Sequence, residues 1–428
     1  MGKQVQFRNH HYLADTTGTG WWRHLFPMHT MDCVQDQIGL QNNYSRIVNT
    51  DPNFYVGMNS VWIQRWTGPQ YAKVVEEFFK PVFKHTGTQL IYEIDDLTDA
   101  KYIPDYNHGK QAFESQETQD TIKRMLQASD KVVVTTNKLK EMMAQSYDLP
   151  MEKVVAIPNL LPHWWIGDRY YPDLKVKQYS DNKAKPRIAV VSSMSHYNID
   201  GRKDKDGNFV KDDMDILLDL IHETADDFQW VIVSHAIHSG LADLLEQKKI
   251  ETHPCIPLLA YPSFLHHLGI QAVVAPLQDN EFNHCKSFIK YEECAALGIP
   301  LYASRMLPYS EVMPDDQLFN DGKELKDKLM KLKFGSAGAY RKRIEAQWRW
   351  LCSPTQSGDA KLNNWWLEDN LNVWTPLHTL PIKDNLLMGG NKNDDEANRQ
   401  GGAGEGGAGL EVHPQAERAS GTTASGPA

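Results

Sequence analysis

Twice in succession this chain alternates short apolar, β-branched runs with longer stretches of helical periodicity, and that order leaves few folds open. In the first half the strand-like runs are RIVNT near residue 46, SVWIQRW near 60, QLIYEIDD ending at Asp96, KVVVTTN at 131–137 and KVVAIPN at 153–159. Between them lie YAKVVEEFFKPVFKH and the segments 118–128 and 138–147, whose apolar residues recur at helical spacing. After a polar stretch at 168–186 the pattern resumes with RIAVVSS at 187–193, a helical 214–223, QWVIVSH at 229–235, a helical 240–248, PLLAY, and a strand at 271–276 closed by Pro276. Parallel strands need such crossovers, because each helix carries the chain back to the starting edge of the next strand. The expectation is α/β: two doubly wound, Rossmann-like domains facing a cleft, at 1–167 and 187–350, with 168–186 as linker. Residues 351–383 read as helices packing back across the domains, and the Gly-rich 384–428 as a disordered tail. Trp348, Trp350, Trp365, Trp366 and Trp374 fit packing better than ligand stacking.

A chain of 428 residues exceeds one ordinary core, and 41% hydrophobic with 10% aromatic residues is enough to build two. The net charge of −10 argues against a broad basic surface for duplex binding, leaving room only for a local one. Cys33, Cys255, Cys285, Cys294 and Cys352 show no metal-binding spacing, so they read as reduced thiols and no metal site is expected. The amino terminus lacks the apolar stretch of a secretory signal, and no run is long enough to span a bilayer; a soluble cytoplasmic protein with no membrane partner is expected.

Four constellations carry possible chemistry. In 271–304 a strand runs into a polar loop at 278–284 and then a helix ending at Gly298. Lys286, Lys290 and Glu293, four and three residues apart, are expected on one face of that helix, at a strand's carboxyl end where ligands bind. The helix amino terminus favours a phosphate, whereas mutual pairing of the Lys and Glu side chains on a solvated face is the plain alternative. In DTTGTGWWR (15–23), Gly18 and Gly20 let backbone amides approach a ligand. As a dinucleotide fingerprint the loop fails, since Arg23 replaces the third glycine and no clear strand precedes it. Glu93, Asp95 and Asp96 close an apolar strand and suit sugar hydroxyls better than a metal, for which the ligand set is incomplete. Ser192, Ser193, Ser195 and His196 follow another strand and suit a phosphate or its leaving oxygen. The turn-rich, charged 197–212 reads as an inserted hairpin, either a lid or an idle insertion.

Taken together, FNHCKSFIKYEECAALGIPLYAS, SSMSH, ASDKVVVTTNKL, AIPNLL and QLIYEIDDL resemble nucleotide-sugar-dependent glycosyltransferases of the GT-B fold, in particular retaining enzymes of the kind encoded by tailed bacteriophages. The resemblance implies a nucleoside-diphosphate sugar such as a UDP-sugar as donor, with no tightly bound cofactor and no metal. It implies catalytic roles for Lys290, Lys286 and Arg23, and donor binding by Gly18, Gly20, Ser193, Ser195, His196, Ser287 and Glu293, the last on the ribose. Trp21, Trp22, Arg65, Asp95 and Asp96 fall on the acceptor side. Two positions depart from the family pattern: Cys285 stands where a Glu is frequent, and Ser192 where Gly is common. Retention is implied, the departing phosphate oxygen taking the acceptor's proton. The acceptor expected first is a hydroxymethylated pyrimidine in DNA, contacted by Trp21, Trp22, Arg65, Trp66 and the His163, Trp164, Trp165 run. A glycan or cell-surface acceptor is the alternative, and a non-catalytic nucleotide-binding module the alternative of another class.

Overall fold

The computed structural model describes residues 7–28, 40–159, 161 and 171–352. The first half forms a six-stranded sheet from β1 (Phe7–Tyr12), β2 (Leu40–Ser45), β3 (Ser60–Gln64), β4 (Gln89–Glu93), β5 (Lys131–Val134) and β6 (Val154–Ala156), in the order β2-β1-β3-β4-β5-β6. The second half forms another from β7 (Arg187–Val191), β8 (Gln229–Val233), β9 (Ile250–His253), β10 (Ala272–Ala275), β11 (Leu301–Ser304) and β12 (Leu318–Phe319), in the order β12-β11-β10-β7-β8-β9. Every strand pair in both sheets is parallel. The strand order reverses between β1 and β3 in one sheet and between β7 and β10 in the other. At such a reversal the two flanking loops leave in opposite directions and open a crevice at the carboxyl ends of the strands.

Three expectations change. A strand does precede the Gly18 loop: β1, FRNHHY, hidden from a hydrophobicity reading because its buried residues are polar. Asn9 Nδ2 donates to Asn42 Oδ1 at 3.1 Å, Ser60 Oγ donates to Asn9 Oδ1 at 2.6 Å, and His10 Nε2 lies 3.1 Å from Ser45 Oγ, so the strand's inward polar side chains take partners on β2 and β3. Strand β2 ends at Ser45, before the RIVNT run, and β9 replaces the strand-like PLLAY. The expected linker contains the helix Pro172–Asp181, whose Tyr179 stacks on Tyr340 at 4.3 Å and belongs to the second domain's core. The expected helices at 351–383 (beyond Cys352), the tail at 384–428 and residues 163–165 lie outside the described residues.

One apolar cluster joins the halves: Trp22, Phe26, Trp62 and Val133 pack in it with Val273, Phe288 and Tyr291. Among the described residues no helix is long and apolar enough to cross a membrane.

Candidate functional site

On the first domain the loop after β1 folds around Asp15. Its Oδ1 accepts from Thr17 N at 2.8 Å, Thr17 Oγ1 at 2.7 Å and Gly20 N at 3.2 Å, and so starts the helical turn Gly18–Gly20. Gly20 is dictated by close approach, because a Cβ there would stand 2.1 Å from the Asp15 carbonyl oxygen. Gly18 is exposed, and a Cβ there would meet nothing within 4 Å. Just after strand β3, Arg65 lies in the left-handed region, φ 43°, a conformation costing a non-glycine residue about 1 kcal/mol. That turn brings the Arg65 guanidinium 3.4 Å from Asp15 Oδ2 and 3.6 Å from Asp95 Oδ1. Asp95 also accepts from Thr19 Oγ1 at 2.9 Å. Burial pushes the Asp95 carboxyl up to about 6; Arg65 opposes this, and Asp96 and Glu93 add to it. Burial would raise Asp96 as well, but the Lys286 ammonium, with Arg65 and His196 behind it, holds that carboxyl below the ordinary aspartate range.

On the second domain the helix of the sequence reading is broken in two. Asn280 caps a short turn, Glu281–His284, by accepting from Asn283 N at 2.9 Å, and the longer helix starts only at Ile289 and ends at left-handed Gly298. Lys286 therefore lies between helices and does not share a stripe with Lys290 and Glu293. Its ammonium reaches across the cleft to Asp96 Oδ1 at 2.7 Å and lies over the Phe282 ring. Lys290 and Glu293 do share a face and pair at 2.7 Å, with Tyr261 OH 3.4 Å from the same ammonium. Burial works against the Lys290 charge, and Glu293 and Tyr261 outweigh it, raising the ammonium above the ordinary lysine range.

The two crevices meet at this segment. Ser287 Oγ accepts from Asn159 Nδ2 at 2.9 Å, Thr136 Oγ1 donates to the Cys285 carbonyl at 3.1 Å, and Lys138 pairs with Glu281 at 2.8 Å. Cys285, expected beside the donor sugar, is instead buried with Phe282 in the first domain's core, where burial pushes its thiol up to about 12. After β7, Ser193 and Ser195 hydroxyls lie 2.6 Å apart, and His196 Nδ1 lies 2.6 Å from Asp213 Oδ2.

Other expected residues are placed elsewhere. Arg23 is wholly buried in the wide helical turn Trp21–Leu25, bonded to Glu93 Oε1 at 2.6 Å and to the carbonyls of Ile157 and Val134, with Asn159 Oδ1 at 3.2 Å. It ties together the chain leaving β4, β5 and β6, and its charge is spent inside the domain. Trp22 and Trp66 are buried and Trp21 is partly buried, with Trp66 stacked on Tyr71 at 4.5 Å. The 197–212 excursion is an antiparallel hairpin bridged at Lys203 and Phe209. Asp212, Asp215 and His238 could present ligand atoms to a cation within 4.8 Å of one another. Asp212 and Asp215 are already bonded to backbone amides there, Asp212 Oδ1 to Met214 N at 2.8 Å and Asp215 Oδ2 to Asp212 N at 2.6 Å. The sequence reading gave no role to Asp213, Tyr106 and Tyr261, nor to Asn159 and Thr136 within the AIPNLL and ASDKVVVTTNKL runs.

No protein-family model matches the chain, and no curated protein matches it in sequence. In structure it is similar to a glycosyltransferase from Rickettsia africae ESF-5, with TM-score 0.50 and 13% identity over 88% of this chain and 100% of that one. It is similar to Anabaena Alr3699/HepE in complex with UDP and glucose, with TM-score 0.50 and 10% identity over 80% of this chain and 98% of that one. WaaG, a glycosyltransferase involved in lipopolysaccharide biosynthesis, matches with TM-score 0.50 and 10% identity over 86% and 99% of the two chains. At these identities the likeness shows the fold: two doubly wound α/β sheets in the GT-B arrangement.

Proposed function

We propose that the chain is a glycosyltransferase that moves a sugar from a UDP-sugar or a similar nucleoside-diphosphate sugar to an acceptor hydroxyl. The observation that carries this reading is the pairing of unlike crevices: cations Lys286 and Lys290 with Glu293 on one side, carboxylates Asp95 and Asp96 on the other, 2.7 Å apart where Lys286 meets Asp96. Support for the donor comes from the Anabaena protein, which binds UDP and glucose. Glu293 accepts the ribose hydroxyls, Ser287, Ser193, Ser195 and His196 hold the phosphates, and Lys286 and Lys290 offset the charge that develops on the departing diphosphate. The anomeric carbon breaks its bond to the phosphate oxygen and forms one to the acceptor oxygen on the same face. The acceptor's proton passes to the departing phosphate oxygen, giving retention. Gly18, with open space around it, leaves room for the donor against the first domain.

The acceptor side favours a neutral, hydroxyl-rich molecule such as a glycan. Asp15, Asp95 and Asp96 line it and would repel a phosphate backbone, and Trp22 and Trp66 are packed away from any base. Incubation with a panel of nucleotide sugars tests the reading. Donor hydrolysis or transfer is expected with at least one of them, falling by roughly 10- to 1000-fold in Lys286→Ala and Lys290→Ala. No binding of any nucleoside diphosphate would overturn it. The anomeric configuration of the product, read by NMR, tests retention separately.

A further inference from the structure

Asp213 lies at the end of the inserted hairpin, is 1% exposed, and gathers four groups onto one carboxylate. Oδ2 meets His196 Nδ1 at 2.6 Å. Oδ1 accepts from Gln278 N at 2.7 Å, Asn283 Nδ2 at 3.0 Å and Tyr106 OH at 3.0 Å. These partners arrive from three directions: His196 from the loop after β7, Gln278 and Asn283 from the loop after β10, and Tyr106 from the first domain. Tyr106 is itself buried, and its hydroxyl also accepts from Asn283 Nδ2 at 3.0 Å. Helix capping does not explain the residue, although the helix Asp215–Thr224 follows at once. Met214 N is taken by Asp212 and Asp212 N by Asp215, which leaves Asp213 facing the cleft loops instead. A buried carboxylate is costly unless it is hydrogen-bonded, and here Oδ1 takes three donors and Oδ2 one.

We infer that Asp213 is a positioning residue of the donor site: it fixes the tautomer and orientation of the His196 ring and makes that placement depend on Tyr106 of the facing domain. The inference rests on the proposed donor site. A carboxylate only accepts, so Nδ1 of His196 carries a proton, and Nε2, which takes up a second proton when it meets a phosphate oxygen, is the atom left to donate to the ligand. The ring stands among the groups that hold the Asp96 carboxyl low, which sets it beside the cation and carboxylate of the cleft. Both switch-point loops and the opposite domain are thereby keyed to one imidazole.

Asp213→Asn gives a specific outcome. Gln278 N can only donate, so the new amide oxygen must face it and the amide NH2 must face His196, forcing the proton from Nδ1 to Nε2. The test is nitrogen NMR of the full chain labelled in its histidine rings, with His196 assigned from His196→Gln, together with calorimetric titration of UDP. The expected result is an Nδ1–H signature in the parent and an Nε2–H signature in Asp213→Asn. UDP affinity falls roughly tenfold in Asp213→Asn and in His196→Gln, the scale of one charge-assisted hydrogen bond, with no further loss in the double variant. Tyr106→Phe, the milder change should Asp213→Asn not fold, keeps the Nδ1–H signature and weakens UDP by roughly threefold. An unchanged tautomer in Asp213→Asn, additive losses, or full UDP affinity in Tyr106→Phe would each overturn the inference. If the parent itself binds none of UDP, GDP, CDP, ADP and dTDP, the donor reading fails instead, and the tautomer measurement still decides whether Asp213 sets the ring.

Discussion

Glu292 stands beside Glu293 on the helix Ile289–Leu297 and is 1% exposed, with neither carboxyl oxygen hydrogen-bonded among the described residues. Burial, then the neighbouring Glu293 charge, pushes its carboxyl well above the ordinary glutamate value of 4.5. The folded state therefore binds more protons than the unfolded one above that value, and stability falls as pH rises through the interval. Stability from this group is complete below about pH 4.5 and declines toward the raised folded value. Glu292→Gln is expected to match the parent near pH 4 and to exceed it by on the order of 1–3 kcal/mol near pH 8, read from denaturant melts at both ends. A gap that stays constant across that range would show that the acid is ionised in the fold. At this scale the sequence was a partial guide. Spacing put Lys290 and Glu293 on one helix face, and the apolar run put Asp96 at a strand's end, as the structure has them. The resemblance implied a catalytic Arg23, yet the residue is buried in a helical turn wider than the usual 3.6-residue period, and ordinary spacing does not say which way such a residue points.

Among the elements, the loop after β1 separates architecture from ligand contact within three residues. Gly20→Ala forces a methyl group to 2.1 Å from the Asp15 carbonyl, so the loop must rearrange and the melting temperature drop. Gly18→Ala meets open space and is expected to leave the melting temperature within about 2 °C while weakening nucleotide-sugar binding, because the methyl group enters room that the proposed donor would take. Thermal melts and donor titration on both variants check the division, and equal effects of the two substitutions would refute it. Apolar strands such as SVWIQ and QLIYE were legible because both faces of a parallel sheet are covered and their residues read as continuous apolar runs. FRNHHY was not, since its inward Asn9 and His10 bond to partners on β2 and β3, and His11 to His24, that no local window reveals. The break at 285–288 was equally hidden: Asn280 starts a turn that runs only to His284, and the Lys286 to Asp96 contact spans 190 residues of sequence.

For the whole molecule, the two domains meet through an ion pair that the proposed ligand must displace. A diphosphate recruiting Lys286 competes with Asp96, whose side chain is one-third exposed. Asp96→Asn removes the competitor and is expected to tighten UDP binding by roughly two- to fivefold, the range of a partly exposed ion pair, while transfer to the acceptor falls. The gain shrinks with added salt, and calorimetry at low and high ionic strength checks it. Weaker UDP binding in Asp96→Asn would mean that the pair organises the donor site rather than masking it. The doubly wound architecture could be read from alternation alone, but not which charges face each other, because that depends on how two sheets are set together. The turn carrying Phe282 and Cys285 belongs to the second domain, yet both side chains lie in the first domain's core. Separating the domains far enough to extract them exposes apolar surface to water, so opening carries a positive heat-capacity change. Nucleotide exchange that requires such opening follows a curved Eyring plot, as a small unfolding event does and a simple hinge does not.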